Sequence, residues 1–463
     1  MDSMPVDPVA HAGSLRAAGE MLRSGEITSE QMTHAYLARI QHMDPYLGSY
    51  EYVAEVQALE TAKAMDRLLA AGTDLGPLMG LPISVKDLFT VKGMPMTAGS
   101  NIDVSGIMDP CEGPFIQALR EAGCVLLGKT RMVEFAFGIT GVSQPRGTPR
   151  NPCDHKEHRI PGGSSSGAGV AMAAGLCAMA IGTDTGGSVR VPAALCGIFG
   201  LKTTFGLWSN QGVFPLSPDL DTIGLLTRSA HDAALAYTEI MRQLECEPSR
   251  SITPAPLGNT SLGLPSSYFW ENLTPDVAEP MSQAMDMLRS AGVNIQEISI
   301  PEASEREQYF PVSMPVHLLS TLGRERFEAN RHLMDPVIGH RTSLGLEIEA
   351  TRLVEVETRR KRSSLRALVY FQGVDAWISP TTASTAPSVA SLENYEQAYL
   401  QAINMTRNTQ PANYLGLCAA SLPVPVAAQG LPVGMQLIGP PRNETQLLAI
   451  CLAVEQLLRS AEY

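Results

Sequence analysis

Two glycine-flanked serines and one upstream lysine carry the chemistry most visible in this chain. The first serine loop reads Gly162-Gly163-Ser164-Ser165-Ser166-Gly167, and the second reads Gly182-Thr183-Asp184-Thr185-Gly186-Gly187-Ser188-Val189-Arg190. The lysine is Lys86, in Gly80-Leu-Pro-Ile-Ser-Val-Lys86-Asp87. Glycines beside a serine let a substrate approach the backbone and leave N–H groups free to converge on one point. Such a loop suits an activated serine facing an oxyanion hole. The constellation reads as that of a serine hydrolase that uses lysine, not histidine, as its base.

The nucleophile is assigned to Ser188. A serine needs a base within hydrogen-bond reach, and Lys86 serves only when neutral. An ordinary lysine titrates near ~10.4, so burial must depress it. Ser164, which can donate and accept at once, then carries the proton between Lys86 and Ser188. The backbone N–H groups of Thr185, Gly186, Gly187 and Ser188 are the expected oxyanion hole. Asp184 and Arg190 stand beside that loop. Arg190 either braces it or meets a polar or anionic group of the substrate.

Three other motifs compete. Gly123-Cys-Val-Leu-Leu-Gly128-Lys129-Thr130 matches the phosphate-loop pattern G-x-x-x-x-G-K-T. Its four intervening residues read as a strand, whereas a phosphate loop needs a flexible turn. Gly163-Ser-Ser165-Ser-Gly167 matches the nucleophile elbow G-x-S-x-G, but that fold needs a late histidine, and none follows His340. Cys153-Asp-His155-Lys-Glu-His158 lacks a second ligand pair at zinc spacing and reads as a solvated loop.

Chain elements must hold the three groups in place. Helical spacing runs through residues 13–43 and 51–72, with Thr28 ahead of Glu30 and Gln31 as a helix start. Leu81 to Val85 reads as a strand that delivers Lys86 at its tip. Phe115 to Glu121 is a helix stopped by Gly123, and Cys124 to Leu127 a strand. Residues 138–163 form a long loop of the kind that serves function. Gly167 to Gly175 is a helix of small residues, Ala178 to Ile181 a strand, Pro192 to Cys196 a helix, and Ile198 to Leu201 a strand. Ala376 to Ser379 and Val433 to Ile438 return to the sheet. This alternation points to a layered α/β domain. Residues 303–370, more charged and helical, read as a cap or pocket wall.

At 463 residues, 44% hydrophobic and 17% charged, the chain has ample core. The formal net charge of −13 and the absence of a basic stripe argue against direct binding of nucleic acid. Residues 359–362 are a basic run assigned to a solvated helix face. Cys111, Cys124, Cys177, Cys196, Cys418 and Cys451 sit beside small or apolar residues and read as buried hydrophobes in a reducing compartment. The start, residues 1–7, has neither a basic nor an apolar signal region. The most apolar stretch, Ala168 to Ile181, is too short to cross a bilayer. A cytoplasmic location is expected.

The motifs together resemble the amidase signature family. The resemblance rests on the two serine loops, Gly80–Asp87 and Gly197-Ile-Phe-Gly-Leu-Lys202. It is supported by Gly128-Lys-Thr130, Glu134-Phe-Ala136, Asp221-Thr-Ile-Gly224 and Gly434-Met-Gln-Leu-Ile-Gly-Pro-Pro441. It runs from about residue 13 to the C-terminus. Three positions depart from the family pattern: Thr203 and Cys418 where proline is common, and Met132 where asparagine is common. The resemblance implies one domain over residues 1–463, a large mixed β-sheet flanked by helices on both faces, and core motifs in 75–230. It implies a Ser-cisSer-Lys triad of Ser188, Ser164 and Lys86, with a cis Gly163–Ser164 peptide, and hydrolysis of an amide through an acyl-enzyme, with neither a metal nor an organic cofactor.

An aryl or aliphatic amide is the first expectation, and the same attack would also serve a carbamate or an ester. Pocket candidates are Met132, Phe135, Gly138, Thr140 and Arg190, within Phe135 to Thr140, the Gly141–Pro149 loop, Asp219 to Asp221, residues 310–345 and Asn408 to Tyr414. Phe, Met, Leu and Pro there suggest a largely apolar pocket. A small-molecule substrate and a monomer or homodimer are expected. The alternative is the glutaminase component of a tRNA amidotransferase, its A subunit, which would need a partner to bind tRNA.

Overall fold

The computed structural model describes residues 6–245 and 251–460; the start at residues 1–5 lies outside them. Eleven strands form one sheet. In chain order they are β1 (Tyr50–Val53), β2 (Pro82–Lys86), β3 (Val125–Thr130), β4 (Met179–Asp184), β5 (Phe199–Lys202), β6 (Thr222–Thr227), β7 (Ser261–Pro265), β8 (Asn294–Ile298), β9 (Ala376–Pro380), β10 (Cys418–Val424) and β11 (Val433–Gly439). Their order across the sheet is β1-β3-β2-β4-β6-β5-β10-β11-β9-β7-β8.

The sheet is mixed, as expected. β2 runs parallel to both β3 and β4, and β7 runs parallel to both β8 and β9. The strands between these two parallel ends pair antiparallel. Every residue of β2, β3, β4, β5 and β6 is buried, so both faces of the central sheet are covered. Edge strand β8 is mostly exposed or half-buried and carries Asn294, Gln296 and Glu297, side chains that keep an edge from pairing with another chain.

Local signals explain the flanking helices. Thr28 caps the helix Ser29–Leu47 through a reciprocal pair with Gln31. Gly123, at φ +74°, ends the turn after the helix Pro114–Glu121. Two expectations need correction. Residues 51–72 are not one helix, because Tyr50–Val53 pairs with β3 before the helix Glu55–Ala70 begins. Cys111 is exposed, since it lies in the irregular approach to the helix Pro114–Glu121.

Residues 303–370 carry the helices Arg306–Leu322, Arg324–Asn330, Pro336–Ser343 and Ala350–Ala367. They pack over the 130s loop and the Ser188 loop. Asp335 N donates to Glu134 Oε2 at 2.8 Å, and Arg341 donates to Phe137 O at 2.7 Å. No helix of the described residues is long and apolar enough to cross a membrane.

Candidate active site

Lys86 ends β2, and its neighbour β4 ends at Asp184, so two parallel strands deliver Lys86 and Thr183 side by side. Lys86 Nζ lies 2.7 Å from Ser164 Oγ and 2.8 Å from Thr183 Oγ1. Lys86 is fully buried, and desolvation lowers its pKa from the usual value to about 7. The charges of Asp221 and Asp184 oppose that fall. Neutral lysine is therefore well populated near neutral pH. Thr183 is a site residue that the sequence does not single out. Its hydroxyl is one more threonine in a strand until the register with β2 is known.

Ser164 follows a cis peptide bond from Gly163. Ser165 N donates to Ser188 O at 3.2 Å, which stitches one serine loop to the other. The Ser165 hydroxyl donates to Thr183 O and accepts from Thr183 N, so the serine of the elbow-like motif fastens the loop to β4. A Cβ on Gly182 would stand 2.7 Å from Ser165 Oγ, which is why glycine occupies that strand position.

The Ser188 loop is shaped by Asp184. Its carboxylate accepts from the amides of Gly187 and Val189, at 2.8 and 3.1 Å, and from the Arg190 fork. Opposing burial, Arg190 holds the Asp184 carboxyl far below the usual range. This geometry corrects two expectations. The Gly187 amide points at Asp184 and is engaged there, leaving the amides of Thr185, Gly186 and Ser188 without a hydrogen-bond acceptor among the described residues. Arg190 is fully buried, and its guanidinium donates to Asp184, Thr409 O, Gln436 Oε1 and Asn413 Oδ1. With these donors engaged it braces the loop instead of facing a substrate.

Ser188 itself is 4% exposed, and its hydroxyl makes no hydrogen bond among the described residues. Thr185 Oγ1 donates to Asp221 Oδ1 at 2.6 Å, and the amides of Leu216 and Ser217 donate to Asp221 Oδ2. Burial pushes Asp221 up to about 6. The Ser217 hydroxyl meets His317 Nδ1 at 3.0 Å, and the opposite ring nitrogen meets Glu357 at 3.2 Å, so the cap is hydrogen-bonded to the loop beside Lys86.

Met132 and Phe135 are buried, and Phe135 stacks on Phe214 with centroids 5.4 Å apart. Val133 N donates to Ser164 O, so their loop runs directly behind Ser164. Gly138 lies against Val133 and Ile338, where that loop meets the cap. Thr140 is half-buried and its hydroxyl accepts from Val142 N. Phe310 and Gln410 stand over Gly186: a Cβ there would meet Phe310 Cε1 at 3.1 Å and Gln410 Cγ at 3.2 Å.

The competing motifs resolve in the same geometry. Val125, Leu126 and Leu127 lie in β3, and Lys129 is buried and donates to Asp87 Oδ1 at 2.9 Å, so no phosphate-binding turn forms. Asp154 in the Cys153–His158 loop pairs with Arg159, and no metal-holding cluster of His, Cys, Asp or Glu occurs among the described residues.

Known proteins share this frame over nearly their whole lengths. The chain is 37% identical to the 2-amino-5-chloromuconic acid deaminase of Comamonas testosteroni, covering 96% of each protein. It is 33% identical to the A subunit of the glutamyl-tRNA(Gln) amidotransferase of Geobacter metallireducens, covering 94% of this chain and 95% of that one. Its structure matches a crystal structure of an amidase with a TM-score of 0.87 at 29% identity, covering 96% of this chain and 100% of that one. It matches the peptide amidase of Stenotrophomonas maltophilia with a TM-score of 0.80 at 26% identity, covering 98% of each. The sequence profile of the Amidase family spans residues 31–448, and on that span the chain belongs to the Amidase family and is an amidase.

Proposed function

We propose that Ser188 is the nucleophile, Ser164 the proton shuttle and Lys86 the base of an acyl-transfer hydrolysis. The observation that carries this reading is the 2.7 Å contact between Ser164 Oγ and a fully buried lysine with a pKa of about 7. Ser188 Oγ attacks the carbonyl carbon while its proton passes to Ser164, and the proton of Ser164 passes to Lys86. The negative oxygen of the tetrahedral adduct is held by the amides of Thr185, Gly186 and Ser188. Collapse breaks the C–N bond, and the proton returns through Ser164 to the leaving nitrogen. Water then cleaves the ester on Ser188 by the same relay run once more.

The substrate is a small molecule. The relay acts on a leaving group carried by a carbonyl carbon, so the candidate bonds are carboxamides, carbamates and esters. The seven described cysteines are all free, which fits the cytoplasm. The reading needs neither a cofactor nor a second protein.

The test uses three substrates with one aromatic leaving group, joined as amide, carbamate or ester. Wild type releases the amine or phenol, and Ser188→Ala lowers kcat by at least about 10³-fold, as loss of a serine nucleophile does elsewhere. Retention of most activity by Ser188→Ala would overturn the nucleophile assignment. Release of ammonia from glutamine in preference to all three would favour the amidotransferase component instead.

A further inference from the structure

We infer that Gln410, oriented by Arg306, forms a subsite for an oxygen acceptor, in the limit a carboxylate, on the acyl part of the substrate. The inference rests on the Ser188 reading and names the substrate class that site takes. Arg306 Nη1 donates to Gln410 Oε1 at 2.7 Å. A guanidinium can only donate, so the atom facing it is the carboxamide oxygen, and the NH₂ group is turned away. It lies beside Gly186. A Cβ on Gly186 would lie 3.5 Å from Gln410 Nε2, and the Gly186 amide has no acceptor among the described residues. The Gln410 carboxamide thus stands beside the residue that carries one of the free amides of the Ser188 loop.

Arg306 is rigidly placed. It is 4% exposed, its Nε donates to Tyr268 Oη at 2.6 Å, and Nη1 also reaches Thr406 Oγ1 at 3.4 Å. Its ion-pair contact is with Glu307 at 3.6 Å, a carboxylate whose side chain is 55% exposed and screened by water. The neighbouring Glu271 is taken by Arg407. A buried cation behind Gln410 strengthens the two N–H donors of that carboxamide and favours negative charge in front of them.

The proposed subsite also takes a side of the substrate. Ser164, which must face the leaving nitrogen, is held by Lys86 and by Val133. Gln410 is held by Arg306 and stands with Phe310 on Gly186. No hydrogen bond joins Ser164 to Gln410 among the described residues, and the proposed arrangement places the leaving nitrogen at Ser164 and the acyl substituent at Gln410. The preferred substrates are C–N compounds whose acyl part carries a carboxylate a short distance from the scissile carbon.

The experiment compares 4-nitroanilides of acetic acid with those of oxalic, malonic and succinic half-acids, in wild type, Gln410→Leu and Gln410→Glu. Wild type favours at least one acidic anilide over the acetyl compound by about tenfold or more in kcat/KM, the scale of one charge-assisted hydrogen bond. Gln410→Leu lowers that ratio by about tenfold, and Gln410→Glu, which keeps the shape and repels a carboxylate, lowers it further. A wild-type ratio near one, or a ratio unmoved by Gln410→Leu, overturns the subsite. Titration of the same proteins with malonate and succinate reads the subsite without turnover. Binding by wild type that weakens in Gln410→Leu supports it, and absence of binding to wild type overturns it. If dicarboxylates bind as expected and Ser188→Ala keeps most hydrolytic activity, the subsite stands and the Ser188 reading fails.

Discussion

On the proposed relay, Lys86 is the single residue that sets the working pH. Its base form must be neutral, and its pKa of about 7 means protonation removes the base as pH falls through that value. The rate is therefore expected to rise from pH 5, pass its midpoint near 7 and level off in the alkaline range, when chemistry limits turnover. Asp221, at about 6, is largely ionised where Lys86 titrates, and its charge favours protonated Lys86. Asp221→Asn removes that charge, so the midpoint of the kcat/KM profile moves to lower pH. It also leaves the amides of Leu216 and Ser217, or the Thr185 hydroxyl, with a poorer partner, costing roughly 1–3 kcal/mol in a melting experiment. A midpoint that stays put in Asp221→Asn would detach Lys86 from the pH profile.

Elements decide what these residues can reach, and here sequence reading and structure part company in an instructive way. Lys86 at a strand end, the two serine loops and the alternation from β2 to β5 were legible, because a buried strand is a short apolar run and a glycine–serine loop announces itself. Thr183 was not, since only the register of β2 on β4 puts its hydroxyl beside Lys86. The orientation of the Gly187 amide was hidden for the same reason: Asp184 is adjacent in sequence, but which amides it captures depends on the loop's path. Arg190 could brace or bind until its partners Thr409, Asn413 and Gln436, far away in the chain, were known. Arg190→Lys tests the brace. It keeps the charge and loses the fork that spans Asp184, so the loop loosens and its buried acceptors go unpaired. The expected result is a loss of roughly 1–3 kcal/mol of stability from the acceptors left unpaired, together with lower kcat. Unchanged melting would mean the loop holds its shape without the fork.

At the scale of the whole molecule, the helices over residues 303–370 close a sheet-borne site with contacts that run through few groups. Asp335 is one of them. Its carboxylate caps the helix Pro336–Ser343 by accepting from Val337 N at 2.9 Å, and it accepts from Gln144 N in the pocket loop at 3.1 Å. Its own amide donates to Glu134, which burial pushes up to about 7. Asp335→Ala removes the cap and the bond to Gln144 but keeps the backbone contact. Loss of the cap costs roughly 0.5–2 kcal/mol, enough to loosen the helix against the 130s loop without unfolding the sheet. Lys86, Ser164 and Ser188 sit on β2 and on loops anchored to β4, so their mutual geometry does not depend on this helix. The variant should therefore raise KM for substrates that reach the loop around Gly138 and Gln144, with a smaller change in kcat and the same midpoint in the pH profile. An equal fall in kcat and kcat/KM would instead mean that the cap helps to assemble the reacting groups themselves.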